Sequence, residues 1–216
     1  MFNIINIEKW DRAEVFHHYL AQQTTFSLTK EVDITLLHAY LKKKEHSFYV
    51  GFIYLMTAIA NQEIHFRMSF NSKGQLGYWD TLSPLYTIFD KETHQFSALS
   101  TEYSSDFEAF KQSYLADLAA FSNTGKLFPQ KSIPENVINL SMIPWTSFTG
   151  FNLNVNNGGN YLLPIVTAGK FIPRENKLFL PVSLQVHHAV CDGYHAAQFL
   201  NRFEEMAASP QKYFET

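Results

Sequence analysis

The sequence predicts an α+β fold in which a mixed β-sheet carries helices packed on one of its faces. Segments that alternate apolar and polar residues, as strands do, are interleaved with a few segments whose apolar residues recur at helical spacing. Hydrophobic residues make up 46% of the 216 residues and charged residues only 17%, so the chain can form a sizeable core. No Pro/Gly/Ser-rich linker interrupts the sequence, and we therefore expect a single domain over residues 1–216.

The first part of the chain predicts one strand followed by three helices. Strand-like residues open the sequence, and three later segments carry apolar residues at helical spacing. In order, the strand and the helices cover residues 2–7, 11–20, 33–43 and 47–61. Asp11 is well placed as the N-cap of the first helix. The third helix contains the longest apolar run, residues 48–60, which is too short to span a bilayer and predicts a buried helix.

The rest of the chain predicts strands interrupted by two helices. Turn residues such as Ser72, Lys73 and Gly74 separate the strand-like segments. The predicted strands cover residues 65–70, 76–80, 85–89, 96–102, 137–143, 150–155, 161–171 and 177–190. The predicted helices cover residues 105–121 and 194–208. Pro181 lies inside the last and longest strand, where a proline indicates a sheet edge or a bulge.

Charge and cysteine content argue against several classes of function. The net charge is −3 with His neutral, and the Lys and Arg residues are scattered, so the sequence shows no basic stripe for nucleic acid. Its one cationic run, Lys42 to Lys44, is typical of a solvated helix end. The single cysteine, Cys191, excludes an internal disulfide and a cysteine-rich metal site. Glu8 and Lys9 stand where a signal peptide would be apolar, so we expect a soluble, cytoplasmic protein with no metal and no membrane contact.

The motif with the clearest chemistry is HHxxxDG, which runs from His187 to Gly193. It lies at the end of the longest predicted strand and precedes the last helix, so the turn between them presents a histidine. A neutral imidazole with a pKa near ~6.5 can take a proton from an alcohol at neutral pH, which makes His188 a candidate general base. Asp192 is placed to cap the helix, and this explains it more simply than a role in a triad. Cys191 shows no sign of activation and is interpreted as a packing residue.

The longer string QVHHAVCDGYH, residues 185–195, resembles the chloramphenicol acetyltransferase family. HHxxxDG itself is shared by several acyltransferase families that depend on coenzyme A. Further segments similar to the family span most of the chain and cover residues 10–12, 26–29, 32–35, 48–55, 66–68, 86–100, 127–130, 134–145 and 151–155. The resemblance implies a two-layer sandwich of the CoA-dependent acyltransferase type, with acetyl-CoA as co-substrate and chloramphenicol as acceptor.

The resemblance also implies roles for individual residues. His188 matches the general base that deprotonates the primary hydroxyl of chloramphenicol, which then attacks acetyl-CoA in a ternary complex. Ser141 matches a serine that donates to the tetrahedral oxyanion, although the residues alone predict only an ordinary strand serine there. Thr167 matches a threonine that helps through a bound water. Asp192 matches an aspartate that pairs with an arginine, here Arg12, and so holds the loop in place.

Two sets of binding residues follow from the same resemblance. The acceptor pocket combines apolar, aromatic and polar side chains at Tyr19, Thr87, Phe96, Phe128, Asn139, Phe151, Leu153 and Val155. Coenzyme A contacts Tyr49, Trp145, Lys170 and Phe171. Composition alone leaves open whether the aromatic residues, 16% of the chain, fill the core or line a pocket. Family members are homotrimers whose sites lie between subunits, so we expect two further copies of the chain as partners and an inactive monomer.

The chain departs from the family pattern at two places near these sites. Residues 20–25 read LAQQTT where relatives tend to have a Pro-Cys pair and one more residue, so affinity for the acceptor is an open question. Ser47 replaces a lysine that contacts coenzyme A phosphate, and the cationic run at residues 42–44 is a candidate to compensate for it. The expected catalytic and loop-holding residues are unchanged.

Two alternatives to the leading hypothesis stay open. In the first, the chain is an acyltransferase for another hydroxyl or thiol acceptor, like the catalytic core of the dihydrolipoyl acyltransferases. In the second, it is a non-catalytic protein that sequesters apolar ligands. The segments 134–145 and 151–155 argue against the first alternative, and the presence of both His188 and Ser141 argues against the second. The leading hypothesis is therefore O-acetylation of chloramphenicol, which gives antibiotic resistance.

Overall fold

The computed structural model describes residues 1–122, 124–155 and 159–215. The helices within these ranges are α1 (Ala13–Ala21), α2 (Thr35–Lys43), α3 (Phe48–Gln62), α4 (Phe107–Phe121), α5 (Gly193–Ala208) and α6 (Gln211–Phe214). The strands are β1 (Phe2–Ile4), β2 (Thr25–Asp33), β3 (Met68–Phe70), β4 (Leu76–Trp79), β5 (Ser83–Phe89), β6 (Phe96–Ser100), β7 (Val137–Met142), β8 (Ile165–Ala168), β9 (Ile172–Arg174) and β10 (Lys177–His187).

The strands of the described residues form two sheets. The larger sheet is mixed and has the strand order β2-β10-β8-β7-β5-β6, with β9 paired to β10 beside this path. Strand β7 runs parallel to both β5 and β8, and the other neighbours are antiparallel. Strands β1, β4 and β3 form the second, smaller sheet. Helices α2, α3, α4 and α5 pack against strands of the larger sheet. The predicted α+β class with a mixed sheet and packed helices is confirmed.

The larger sheet has an apolar face and a polar face because successive side chains of a strand point to opposite sides. The apolar residues of β10 that join the main core are Leu180, Val182, Leu184 and Val186. Between them, Ser183, Gln185 and His187 are buried on the other face. Polar residues at the same alternate positions of β5, β7 and β8 are Thr87, Asn139, Ser141 and Thr167. The expected site residues of these strands therefore share the face opposite the apolar core.

Helix α3 accounts for the longest apolar run of the sequence. Every residue from Val50 to Thr57 is buried, and the helix contacts β5 and β7 as well as α2, α4 and α5. Gly51 allows one of these contacts, because a Cβ there would lie 2.7 Å from a methyl carbon of Leu41. The predicted buried helix is confirmed, and it anchors the middle of the sheet.

Two sequence predictions about local structure are wrong. Helix α1 begins at Ala13 with Arg12, not Asp11, at the N-cap position, because the amide of Ala13 is still turned back onto the carbonyl of Trp10 at 2.9 Å. Residues 150–155 form no strand. Their backbone bonds instead to side chains of β10, as the carbonyl of Phe151 does to Ser183 Oγ at 2.6 Å.

Strand β2 is absent from the sequence predictions, although its Cα partners run along β10 from Thr25 opposite His187 to Asp33 opposite Phe179. Two charged residues, Lys30 and Glu31, interrupt its apolar pattern. At the edge of the sheet both are paired: Lys30 Nζ lies 2.7 Å from Glu204 Oε2, and Glu31 accepts two hydrogen bonds from Arg174. Ion pairs to neighbouring elements thus make charged residues acceptable in this edge strand.

Strand boundaries differ from the predicted ones in several places. The segment at 65–70 starts as a 3₁₀ turn, the one at 161–171 narrows to β8 and β10 stops at His187. Ala168 pairs with Val182 and Ile172 with Phe179, so three residues oppose two beside Pro181. Of the two possibilities predicted for this proline, an edge or a bulge, the structure has the bulge: β10 is paired on both sides, and the missing N–H of Pro181 falls where the ladder is interrupted.

Candidate active site

Residues 188–192, here called the His188 loop, connect β10 to α5. The first amide of the loop donates to the carbonyl of Thr24 at 2.8 Å, which ties the loop to the start of β2. The amides of Val190 and Cys191 both donate to the carbonyl of His187, at 3.1 and 3.0 Å. These bonds close a tight turn immediately after the strand, so the sheet determines where the loop lies.

The two remaining amides of the loop donate to histidine rings. The N–H of Ala189 lies 3.1 Å from Nδ1 of His187, and the N–H of Asp192 lies 3.0 Å from Nδ1 of His195. Burial lowers the pKa of both histidines below the ordinary value, which favours their neutral, hydrogen-bond-accepting form. Every backbone N–H of the His188 loop therefore has an acceptor.

Arg12 fixes the loop from the other side. Its Nη1 and Nη2 donate to the two carboxylate oxygens of Asp192 at 2.6 and 2.7 Å, a bidentate pair. The same guanidinium donates to the carbonyls of Ala189 at 2.9 Å and His188 at 3.0 Å. These hydrogen bonds from Arg12 hold the pKa of Asp192 below its usual range. The contact expected between Arg12 and Asp192 is present, and Asp192 also stands at the N-cap of α5.

The ring of His188 is packed between aromatic side chains. It stacks on Tyr19 with centroids 3.8 Å apart and planes at 3°, and it meets Phe26 in a T-shaped contact with centroids 5.2 Å apart. Its Nδ1 is buried 3.5 Å from Asp192 Oδ1 and has no hydrogen-bond partner within the described ranges, while 27% of the side chain is exposed. The imidazole is thus held in one orientation mainly by packing.

Ser141 and Thr167 are cross-strand neighbours on β7 and β8, with their hydroxyl oxygens 3.0 Å apart. Thr167 is buried and Ser141 half-buried, so the serine is the member of the pair that reaches toward solvent. On the same face, the side-chain amide of Asn139 donates to the hydroxyl of Tyr161. Burial raises the pKa of Tyr161 to about 12, and its hydroxyl therefore stays protonated at neutral pH.

A cleft of about 1070 Å³ opens over this face of the sheet. Six of the expected site residues line it, drawn from both binding sets and from the expected catalytic pair: Tyr49, Thr87, Phe96, Ser141, Trp145 and Leu153. Most of the lining is apolar, with Trp145 and Phe96 more than half exposed. An apolar cleft with a few polar groups is the usual form of a site for a small organic ligand.

The other expected binding residues do not line the cleft. Phe151 is tied to β10 through its carbonyl, and the amide of Lys170 donates to Thr146, next to Trp145, at 2.9 Å. The ring of Phe171 makes a T-shaped contact with the ring of Phe48, with centroids 4.9 Å apart, and Phe48 is the residue before Tyr49. Five members of the acceptor set are outside the cleft: Asn139 and Phe151, Tyr19 on the His188 ring, exposed Phe128, and Val155 at a small cavity beside His187.

The chain does not bring His188 and Ser141 together. Register places Ser141 beside Thr167 and Thr167 beside Ser183, so Ser141 is two strands away from β10. His187 lies four residues further along β10 than Ser183. This gives a separation of about 10 Å across the sheet and about 13 Å along it. His188 accordingly is not among the residues that line the cleft.

Cys191 and Ser47 occupy structural positions. The thiol of Cys191 is buried and lies 3.5 Å from the carbonyl of His65, and burial raises its pKa, which keeps it protonated. Ser47 is the N-cap residue of α3, two positions before Tyr49. Of the nearby cationic run, Lys44 is bound to Glu215 at 2.9 Å.

Metal-binding and membrane-spanning features are absent from the part of the chain that the structure describes. No group of three or more His, Cys, Asp or Glu residues in residues 1–122, 124–155 and 159–215 could hold a metal ion. Within those same ranges, none of the helices combines the length and the apolar character needed to cross a bilayer.

Sequence reasoning missed several residues that the structure places at the site. Phe89, Lys91 and His94 line the cleft from the β5–β6 hairpin, and Phe89 makes a T-shaped contact with Trp145, with ring centroids 4.6 Å apart. Tyr161 joins Asn139 from a segment with no regular structure. The signal for Phe89 was the strand pattern itself, since it stands two positions after Thr87 on β5 and shares its face, whereas Lys91 and His94 lie in the turn beyond the strand and had no such signal.

Comparison with known proteins matches the chain to one family over most of its length. The family model described as chloramphenicol acetyltransferase matches residues 1–204. A chloramphenicol acetyltransferase of Staphylococcus aureus is 53% identical over 98% of both chains. One from Clostridium butyricum is 47% identical over 99% of this chain and 98% of its own length.

Solved structures show the same fold. A chloramphenicol acetyltransferase structure with 28% identity has a TM-score of 0.87, covering 96% of this chain and all of its own. The dihydrolipoamide acetyltransferase of Azotobacter vinelandii, 18% identical, has a TM-score of 0.68 with 93% and 88% covered, and shows the fold alone. The expected acyltransferase-type sandwich is confirmed by these neighbours. The sequence and the fold agree, and the chain belongs to the chloramphenicol acetyltransferase family.

Proposed function

We propose that the chain transfers the acetyl group of acetyl-CoA to the primary hydroxyl of chloramphenicol and thereby gives resistance to this antibiotic. The observation that carries the proposal is the near full-length similarity to enzymes named for this reaction in Staphylococcus aureus and Clostridium butyricum. The rigid His188 loop and the apolar cleft support it. Residues 1–216 act as one catalytic unit in the cytoplasm, as expected from the sequence.

His188 is the general base in this proposal. Because its Nδ1 is buried beside Asp192, Nε2 takes the proton of the acceptor hydroxyl. The hydroxyl oxygen bonds to the thioester carbonyl carbon, and the carbonyl oxygen becomes a tetrahedral oxyanion. On collapse the C–S bond breaks, the coenzyme A sulfur takes the proton back from His188, and the acetyl ester remains. The acetyl group passes directly between two bound substrates in a ternary complex.

Ser141 stabilises the oxyanion in this proposal. Its hydroxyl donates a hydrogen bond to the developing charge, a contribution worth about 3 kcal/mol in other enzymes. Because Ser141 gives its only O–H to the oxyanion, Thr167, 3.0 Å away, donates to Ser141 Oγ and can still accept a hydrogen bond from a bound water. Arg12 and Asp192 touch no reacting atom. They are positioning residues that hold the backbone of the His188 loop.

A homotrimer with sites between subunits brings together His188 and Ser141, which one chain alone keeps apart. Reacting atoms must approach to about 3–3.5 Å, far less than the distance between His188 and Ser141 within one chain. In the trimer, His188 of one copy faces the cleft of the next, and a cyclic arrangement repeats this contact three times. The broad exposed apolar lining of the cleft supports such a cover, because large apolar patches mark interaction surfaces.

The two substrates meet at Ser141 in this arrangement. Chloramphenicol binds the acceptor set. One copy contributes Phe96 and Leu153 from its cleft, and the partner copy contributes Tyr19 together with the His188 ring on which it stacks. Acetyl-CoA approaches along Tyr49 and Trp145, with Lys170 and Phe171 following from the adjacent segment.

Release of free thiol from acetyl-CoA in the presence of chloramphenicol tests the proposal. The wild type is expected to release thiol, and His188→Ala is expected to lose roughly 10²–10⁴-fold or more in rate. His17→Ala, which removes an exposed histidine of α1, is the matched control. No release by the wild type contradicts the proposal. Acetylated dihydrolipoamide, measured directly because thiol-to-thiol transfer leaves the number of free thiols unchanged, would instead indicate a thiol acceptor.

A further inference from the structure

The last amide of the His188 loop, that of Asp192, donates its hydrogen bond to an unusual acceptor. Asp192 is the N-cap of α5, and His195 stands three residues later, where a capping box has Glu or Gln. The N–H of Asp192 lies 3.0 Å from Nδ1 of His195. Glutamate and glutamine accept this bond at any pH near neutrality. An imidazole nitrogen accepts it only while that nitrogen carries no proton.

Packing keeps the ring of His195 in this place. It stacks on the ring of His65 with centroids 3.9 Å apart and planes at 30°, and only 15% of its side chain is exposed. His65 is held in turn by its Nδ1, 2.7 Å from Glu63 Oε1, and its carbonyl lies 3.5 Å from the thiol of Cys191. The turn before β3 therefore supports both the loop and the ring that caps it.

Charged and titratable groups approach His195 from three elements. Asp192 Oδ2 on the start of α5 lies 3.8 Å from its Nδ1, Arg12 comes from before α1, and Glu63 and His65 come from the turn before β3. Arg202 and Tyr194 of α5 line a cavity of about 310 Å³ beside it. Burial, followed by the charge of His65, lowers the pKa of His195, and this outweighs the two carboxylates that act in the opposite direction.

We propose that His195 is a positioning residue whose neutral ring fixes the Asp192 end of the His188 loop, and that protonation of His195 releases this end. A protonated ring carries N–H groups on both nitrogens, so a donor would face the N–H of Asp192. The activity part of this inference rests on the proposed function, whereas the structural part does not.

The direction of the pH effect follows from the lowered pKa. His195 stays neutral through neutral pH and gains its proton only after the pH falls below the ordinary value of about 6.5. Above that range the hydrogen bond from the Asp192 amide to His195 is intact, and it is lost as the pH falls through the lowered pKa of His195.

Two substitutions of His195 distinguish its role as a hydrogen-bond acceptor from the space that its ring fills. His195→Gln keeps an acceptor that does not titrate, and His195→Leu removes the acceptor while keeping an apolar side chain. His17→Gln, at an exposed position of α1, is the matched control. Hydrogen exchange of the Asp192 amide, corrected for intrinsic rate, is followed across pH on the full chain without substrates. In the wild type and in the control, the Asp192 amide is expected to lose its protection as the pH falls. In His195→Gln the amide is expected to stay protected, and in His195→Leu it is expected to be unprotected at every pH.

The rates give a second measurement on the same variants. At neutral pH, Gln is expected to retain kcat and Leu to lose roughly 10- to 100-fold in kcat with KM unchanged. The acid limb of kcat is expected to be less steep in Gln than in the wild type. Loss of Asp192 protection at the same pH in the wild type and in Gln overturns the proposal, as does full kcat in Leu. A wild type that releases no thiol contradicts the proposed function only, since the exchange measurement still decides the role of His195.

Discussion

The His188 loop and the cleft are built in opposite ways. All five amides of the loop have acceptors, and one guanidinium makes four further hydrogen bonds to it. The cleft exposes large apolar side chains, with Trp145 59% and Phe96 55% exposed. Hydrogen bonds fix the backbone of the loop that carries the packed His188 ring, whereas the exposed apolar surface of the cleft favours burial without fixing a direction. The contrast fits the proposed arrangement, in which the hydrogen-bonded loop of one copy supplies the base and the exposed cleft of another binds the substrates.

The largest effect on the cleft side is expected from Ser141→Ala. Removal of an oxyanion donor lowers kcat by about 10²–10³-fold, while the apolar lining and therefore acceptor binding stay in place. Steady-state rates with both substrates measure this. Ser69→Ala, at a buried serine of the small sheet, is the control and is expected to keep its rate. An unchanged kcat in Ser141→Ala would remove the serine from the mechanism.

On the loop side, Arg12→Leu is expected to lower both stability and rate. Loss of the partner leaves Asp192 and two carbonyls without their donors, which costs about 3 kcal/mol of unfolding free energy. We also expect kcat to fall with little change in KM, because the base is displaced while the cleft is untouched. Urea unfolding and steady-state kinetics measure the two quantities. Lower stability with full kcat would show that the loop geometry does not depend on Arg12.

A smaller effect is expected from Phe96→Ala in the cleft. This side chain is more than half exposed in the single chain, so its removal should change monomer packing little and raise the KM for chloramphenicol about tenfold. Leu36→Ala, at an equally exposed position on α2, is the control. A raised KM for acetyl-CoA with unchanged KM for chloramphenicol would move Phe96 to the other binding set.

The sequence anticipates the parts of the site that depend on neighbouring residues. HHxxxDG reports a strand end, a turn and a helix start within a few residues, and the structure has each of them. The contact between Arg12 and Asp192 joins residues 180 positions apart, and only the family resemblance indicated it. No local pattern contains such a contact, because it is made by α1 packing beside the loop.

Tertiary contacts explain the failures. Residues 150–155 alternate like a strand, but their backbone is bonded to the side chains of Ser183 and Gln185, so the pattern reflects a segment laid across the sheet. Strand β2 carries charges that only its ion pairs to Glu204 and Arg174 make acceptable. The sequence gives no signal for the capping role of His195, because the usual residues at that position of a capping box are Glu and Gln.

The central claim, that a base from one copy works on the cleft of another, is tested by mixing His188→Ala with Ser141→Ala. The two variants are unfolded together, refolded and assayed beside each variant treated alone. Random assembly of equal amounts gives each interface both intact residues about one time in four, so about a quarter of wild-type activity should return. Full recovery of structure with no more activity than the separate variants would contradict the claim and place both residues in the site of a single copy.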